Sequence, residues 1–234
     1  MSLYSPELDA DAAWPKEATS RMNRMYRRQR HIYDGTRRYY LLGRDQMIMG
    51  LRPGAGASVL EIGCGTGRNL VLAARLYPDA RFFGVDVSTE MLTTAISAIS
   101  RAGLTGQIRV AHGDAATFEP KRVFGLSRFD HVMISYSLSM IPDWRRVLGA
   151  AANHLQPGGR LHVVDFGRQE RLPLIARILL RRWLAMFDVV PRDDLEQELS
   201  ALADRSGASL RFERPFRGYA QYGVLTLPPA PRTP

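Results

Sequence analysis

The stretch Val59-Leu-Glu-Ile-Gly-Cys-Gly-Thr-Gly67 constrains this chain more than any other. Four residues of strand type run directly into three glycines at alternate positions, and a helical pattern follows from Arg68. Glycine removes the Cβ where a backbone must turn sharply or approach a ligand. The helix behind it offers unpaired N–H groups. A strand, a glycine turn and a helix in that order are the first half of a βαβ unit, with a ligand site at the carboxyl edge of the sheet.

The pattern then repeats. Strands are expected at Ser58–Ile62, Ala80–Val85, Ile108–Ala111, Phe129–Ser135 and Arg160–Phe166, alternating with helices at Arg68–Leu76, Thr89–Ala102 and Trp144–Leu155. Helices over 172–187 and from Pro191 to about Asp204 follow, then strands near 208–213 and 219–226. This predicts an α/β fold: a doubly wound, mostly parallel seven-stranded Rossmann-like sheet with N-terminal helices. Residues 1–50 read as a helical lead-in or cap, broken at Asp34-Gly35. Residues 51–227 read as the ligand-binding domain, and the Pro-rich 228–234 as a disordered tail.

Two ligand classes compete for the glycine loop. A dinucleotide fingerprint needs a third glycine where Arg68 stands, which weakens the pyrophosphate reading. Glu61, at the strand end, would repel a phosphate and suits a cationic ligand. Downstream, Asp86 closes the second strand, where a carboxylate accepts ribose hydroxyls. Asp114 follows the third strand, and Gln156-Pro-Gly-Gly-Arg160 precedes the fifth. Each acid alone reads equally as a helix cap or a loop acid.

In sequence these landmarks resemble class I S-adenosylmethionine-dependent methyltransferases, with Glu61-x-Gly63-x-Gly65-x-Gly67 as the first motif. The resemblance implies S-adenosyl-L-methionine as cofactor and S-adenosyl-L-homocysteine as product. Its site would comprise Tyr33, Glu61, Gly63, Cys64, Gly65, Gly67, Asp86, Val87, Asp114, Ala115 and Ser135, with Asp114 against the adenine amino group. Cys64 reads as a small packing residue within the loop. No metal is expected. The fourth strand lacks the D/N-P-P-Y/F sequence of enzymes that methylate planar base or amide nitrogens, so a DNA or protein-glutamine acceptor is disfavoured.

Further stretches are more selective. Ile32-Tyr-Asp-Gly-Thr-Arg37, Leu41-Leu-Gly-Arg-Asp45, Ser135-Tyr-Ser-Leu-Ser-Met-Ile-Pro142, Val190-Pro-Arg-Asp-Asp194 and Phe216-Arg-Gly-Tyr-Ala-Gln-Tyr222 resemble bacterial diacylglyceryl-homoserine N-methyltransferases of betaine lipid synthesis. The resemblance spans about residues 22 to 226. It implies three successive methyl transfers to a lipid headgroup amine, and an association with the enzyme that makes the homoserine lipid. Phosphatidylethanolamine N-methyltransferases share the plan and are the nearest alternative, with quinone-type methyltransferases behind them.

Such a reaction needs a neutral amine aligned behind the methyl group, and aromatic faces suit the cationic product. Tyr33 and Tyr136 are the catalytic candidates, with Tyr40 behind them. For each, ordinary aromatic packing with a satisfied hydroxyl is the competing reading. Arg37 and Arg44 are candidates for a headgroup carboxylate, or else solvated helix residues. His131 reads as facing a helix rather than the ligand.

Composition enters here. The chain has 234 residues and a net charge of +9, and only Lys16 and Lys121 among its 32 basic residues are not arginine. A single cysteine excludes a disulfide framework, and no apolar run reaches the length of a membrane span. The N-terminus lacks the pattern of a secretory signal. A basic protein of this kind seeks a polyanion. Residues 21–44 hold eight arginines and one acid, and residues 168–192 hold six arginines and two acids. Both stretches are amphipathic, so an anionic membrane surface is expected and nucleic acid is not. The expected location is cytoplasmic, peripherally attached to the inner membrane surface. The oligomeric state is left open.

Overall fold

A computed structural model describes residues 41–231. The expectations for the lead-in before Leu41, including Tyr33, Arg37 and Tyr40, lie outside the described residues.

The chain enters through α1 (Arg44–Leu51) and then alternates: β1 (Ser58–Ile62), α2 (Arg68–Leu76), β2 (Arg81–Asp86), α3 (Thr89–Arg101), β3 (Ile108–His112) and the short α4 (Pro120–Phe124). It continues through β4 (Phe129–Ser135), α5 (Trp144–Asn153), β5 (Leu155–Phe166), α6 (Leu174–Ala185), α7 (Leu195–Ser206), β6 (Ser209–Glu213) and β7 (Ala220–Thr226). The seven strands form one sheet in the order β3-β2-β1-β4-β5-β7-β6. Pairings from β3 through β5 are parallel, and β7 runs antiparallel to both β5 and β6. The expected doubly wound, mostly parallel sheet is therefore the observed one.

Alternation along the strands feeds two cores. Leu60, Phe83, Val132, Ile134 and Val163 pack beneath Trp144 and Val147 of α5 and Leu195 and Leu199 of α7. Val59, Phe82, Met133 and Val164 pack on the other face with Met47, Ile48 and Leu51 of α1, Leu70 of α2 and Leu92 of α3. Helix α1 thus belongs to the domain core, although residue 50 was the expected boundary.

Three details differ from the expectation. β5 starts at Leu155 rather than Arg160, because Phe129 pairs with Leu155 and His131 with Arg160, leaving Gln156–Gly159 as a register shift. The tail is held at its start, since Gly158 donates to the Pro228 carbonyl at 2.8 Å. Helix α6 and the turn after it divide their apolar residues between two sides: Trp183 and Phe187 pack inward, ring to ring at 5.1 Å, while Ile175, Ile178, Leu179 and Met186 are exposed. A single apolar side was expected.

Chain order reverses between β1 and β4, which lie side by side. In such sheets the crevice opens outside the carboxyl ends of those strands.

Candidate functional site

A cleft of about 290 Å³ opens at that switch point, close to the low end of the range for small-molecule sites, roughly 300–1,000 Å³. Its floor is the glycine turn. Gly63 has φ +73°, and a Cβ there would fall 2.6 Å from the Ser137 Cβ. The close approach of the β1 and β4 loops therefore requires glycine. The Gly63 and Cys64 N–H groups both donate to the Val85 carbonyl, at 2.8 and 3.0 Å. This folds the turn back over β2.

Asp86 locks that arrangement. One carboxylate oxygen accepts from the Gly65 N–H at 2.7 Å and the other from the Ser88 N–H at 2.9 Å. A carboxylate oxygen has further acceptor capacity, so a sugar hydroxyl could still be met. On β3's exit, Asp114 accepts from the Ala116 N–H at 2.8 Å and shapes the loop that brings Ala115 to the cleft. Val87 and Ser135 also line it.

Glu61 is buried at 1% exposure, and Asn69 of α2 donates to one of its oxygens at 2.7 Å. Its other oxygen has no partner among the described residues. Burial pushes this carboxyl up to about 8, against its Asn69 bond, which pulls the other way. Arg44, the first residue of α1, faces the same cleft at 6% exposure. Its Nε lacks a hydrogen bond among the described residues, with Asp45 3.6 Å away. Burial and the neighbouring Arg68 lower its pKa. The Ser135 hydroxyl is a third buried polar group without a described partner. Buried polar atoms left unpaired are rare in folded proteins and call for an explanation. Here a carboxyl, a guanidinium and a hydroxyl share one cleft. This donor and acceptor set fits the ammonium and carboxylate of an amino-acid ligand.

The opposite wall is residues 135–142. Tyr136 stands in left-handed backbone, φ +54°, with its ring edge-on to Phe166 at 4.7 Å. Its hydroxyl donates to the Leu42 carbonyl, and burial raises its pKa well above the usual value. It reaches the cleft as a tether for the Leu41–Arg44 segment, so the satisfied-hydroxyl reading describes it. Asp165 accepts from the Ser139 and Phe166 N–H groups at 3.1 and 2.7 Å. Burial raises its carboxyl to about 6. Arg192 donates to the carbonyls of Leu138 at 3.0 Å and Ile141 at 2.8 Å. These bonds hold Met140, Ile141 and Pro142 as an apolar wall of the cleft.

Ten of the expected residues meet at this cleft: Arg44, Glu61, Gly63, Cys64, Gly65, Asp86, Val87, Asp114, Ala115 and Ser135, with Tyr136 as an eleventh. Gly67 does not line it. A Cβ there would lie 3.0 Å from Ala95 of α3, so this glycine serves helix packing. The Cys64 sulfur points at β2, where a Cβ on Gly84 would meet it at 2.8 Å. His131 lies away from the cleft, its Nδ1 3.4 Å from His162 Nε2 in the sheet. Sequence reasoning missed Asn69, Arg68, Met140 and the Asp165–Arg192 support. The position of Asn69, eight residues after Glu61 on the first helical turn, was the available signal for the first.

Residues 59–159 match the family model of the methyltransferase domain. The chain is 31% identical over 151 residues to the O-methyltransferase cnsE of Penicillium expansum, covering 64% of this chain and 52% of that protein. It is 29% identical over 123 residues to demethylmenaquinone methyltransferase of Listeria monocytogenes serotype 4a, covering 52% and 50%. The chain thus spans about half the length of these curated relatives. Among solved structures, an O-methyltransferase family protein from Burkholderia thailandensis superposes with a TM-score of 0.69 at 16% identity, over 92% of this chain and 64% of that one. Haemonchus contortus phosphoethanolamine N-methyltransferase 2, in complex with S-adenosyl-L-methionine, gives 0.62 at 17% identity, over 80% and 52%. The matched segment, residues 59–159, is thus similar to a methyltransferase domain, with S-adenosylmethionine as its cofactor, and the fold is shared with these solved methyltransferases.

Proposed function

We propose that the protein transfers methyl groups from S-adenosylmethionine to the amine of a membrane-lipid headgroup, converting diacylglyceryl-homoserine to a betaine lipid in three successive rounds. The observation that carries the reading is that Glu61 Oε2, Arg44 Nε and Ser135 Oγ, three buried polar atoms without a hydrogen bond among the described residues, belong to side chains of one cleft. Glu61 suits an ammonium or a sulfonium, Arg44 a carboxylate, and Asp86 and Asp114 the ribose and adenine. When bound, S-adenosylmethionine supplies an electrophilic methyl group on a sulfonium.

The chain's own contribution is placement. The 135–142 wall contains no carboxylate and no imidazole. Such a wall suits an acceptor that needs only its neutral form, as an amine does, rather than a hydroxyl whose proton must be taken. Burial among Met140, Ile141 and Pro142 favours the uncharged amine over the ammonium. The proton lost from nitrogen at each transfer leaves to solvent. Tyr136 acts at one remove, holding the Leu41–Arg44 segment over the cleft. A role for Tyr33, Arg37 and Tyr40 near the amine rests on the sequence resemblance.

The demethylmenaquinone relatives favour a second reading, transfer to a quinone-type ring. The two separate in one assay. Purified protein is incubated with methyl-labelled S-adenosylmethionine and with vesicles holding either diacylglyceryl-homoserine or demethylmenaquinone. Label in the homoserine lipid, reaching three methyls, supports the first reading. Label only in the quinone replaces it with the second.

A further inference from the structure

Helix α6 is apolar on two sides. Leu180, Trp183 and Leu184 seat it on the second core. Opposite them, Leu174, Ile175, Ile178, Leu179 and Met186 form a stripe at helical spacing, with Ile175 73% and Met186 70% exposed. A helix packed on a domain ordinarily turns a polar face outward.

The Phe216–Arg217 turn is tied to the segment that leads into α6. The Arg171 N–H donates to the Arg217 carbonyl at 3.3 Å, which joins the turn to the start of α6. Phe216 is itself exposed, and both residues hold left-handed backbone, φ +54° and +59°. Non-glycine residues seldom adopt that conformation. Here it presents an apolar ring and a guanidinium together. Arg171, Arg182 and Arg217 are all exposed.

We propose that this face docks on an anionic lipid bilayer, with the stripe and Phe216 among the acyl chains and the arginines on the lipid phosphates. The charge selects the occupant. Residues 168–192 carry six arginines and two acids; Arg181 pairs with Asp193 and Arg192 serves the cleft wall, while Arg171, Arg182 and Arg217 stay exposed on this side. A second copy would bring the same excess against it, and so would residues 21–44 of this chain, with eight arginines and one acid. Both are repelled, whereas phosphate-bearing lipids are attracted. The apolar stripe then selects a bilayer over a purely ionic partner. Arginines extend their stems over apolar surface while the heads stay at the interface.

The docking face continues into the cleft. Five residues after α6, the Val190 N–H donates to the Ser139 carbonyl at 2.9 Å, and Arg192 clamps Leu138 and Ile141. A docked α6 therefore sets the Met140–Pro142 wall beside the headgroup layer. This deepens the lipid reading and rests on it, but it is tested without any lipid substrate.

The full chain is sedimented with phosphatidylglycerol–phosphatidylcholine vesicles, and with phosphatidylcholine vesicles alone. Binding to the anionic vesicles at low salt is expected, about tenfold weaker at high salt, with little binding to phosphatidylcholine. The pair Ile175→Asp and Leu179→Asp, both on exposed positions, is expected to weaken binding at least about tenfold. The same variant should keep its thermal shift with S-adenosylhomocysteine, which shows that it is folded. Leu72→Asp, exposed on α2, should bind as the unaltered chain does. Absence of binding at low salt overturns the proposal, as does a double variant that binds normally. A lipid-free dimer that the double variant splits would assign the face to a second copy instead. Methylation of detergent-dispersed lipid without vesicle binding sinks the docking and leaves the function standing. Vesicle binding without any methylation does the reverse.

Discussion

The two walls of the cleft are built in different ways. The glycine-loop wall, residues 61–67 with Asp86, is fixed by neighbours along β1 and β2: Val85 takes two N–H groups, and Asp86 takes two more. The wall at 135–142 is fixed from far away, by Asp165 on β5, Arg192 beyond α6 and the Leu42 carbonyl ahead of α1. Under the proposed function the first wall meets the cofactor and the second faces the acceptor, and the second draws its supports from three separated segments, β5, the stretch after α6 and the entry to α1. Changes in the first wall should therefore abolish cofactor binding, while changes in the second should alter acceptor recognition and leave the cofactor in place.

The largest expected effect is Gly63→Ala. A Cβ forced into left-handed backbone and against Ser137 should destabilise the domain by about 3 kcal/mol and remove S-adenosylhomocysteine binding, as read by urea unfolding and calorimetry. A variant that binds normally would break the distinction between the walls.

Glu61 comes next. Its folded value of about 8 lies above the usual 4.5, so the folded chain keeps a proton that the unfolded chain has lost across that window. Stability of the ligand-free protein should fall as pH rises through it, by up to about 1.4 kcal/mol per pH unit. Asp165, raised from 3.8 to about 6, adds the same sign below pH 6. Glu61→Gln should flatten the slope between pH 6 and 8, where urea unfolding at fixed salt reads Glu61 alone of the two. An unchanged slope would place the titrating group elsewhere.

Arg192→Ala tests the second wall. Losing its bonds to Leu138 and Ile141 should raise the acceptor KM about tenfold, roughly 1.4 kcal/mol, with cofactor affinity unchanged. Equal losses in both would merge the walls into one unit. The smallest effect belongs to Ser139→Ala. Its buried hydroxyl has no close hydrogen bond among the described residues and only eases the Asp165 carboxylate, so stability should move by less than about 0.5 kcal/mol. A larger loss would show a firm bond from Ser139 to Asp165.

The same contrast explains what the sequence conveyed. Strand and helix positions followed from local periodicity, and β1, α2 and β4 fell on their expected bounds. Glu61, Gly63 and Gly65 were readable because one strand, one turn and one helix suffice to place them, and Asp86 and Asp114 because each stands at or just past the carboxyl end of its own strand. The Asp165–Ser139 and Arg192–Ile141 bonds join residues 26 and 51 positions apart, and no local pattern marks them. For Gly67 the loop spacing fits a ligand as well as it fits contact with Ala95, and only the packing of α2 on α3 shows the second. The amphipathic pattern of α6 does not say which of its apolar residues meet the sheet, and the structure turns Trp183 inward.

The most direct measurement is lipid analysis of a host that makes diacylglyceryl-homoserine, with and without this protein. Acceptor identity is the claim on which the two-wall account converges. The account predicts a trimethylated betaine lipid only when the protein is present, and its loss with Gly63→Ala. Unaltered homoserine lipid beside newly methylated quinone or phosphatidylethanolamine would contradict it.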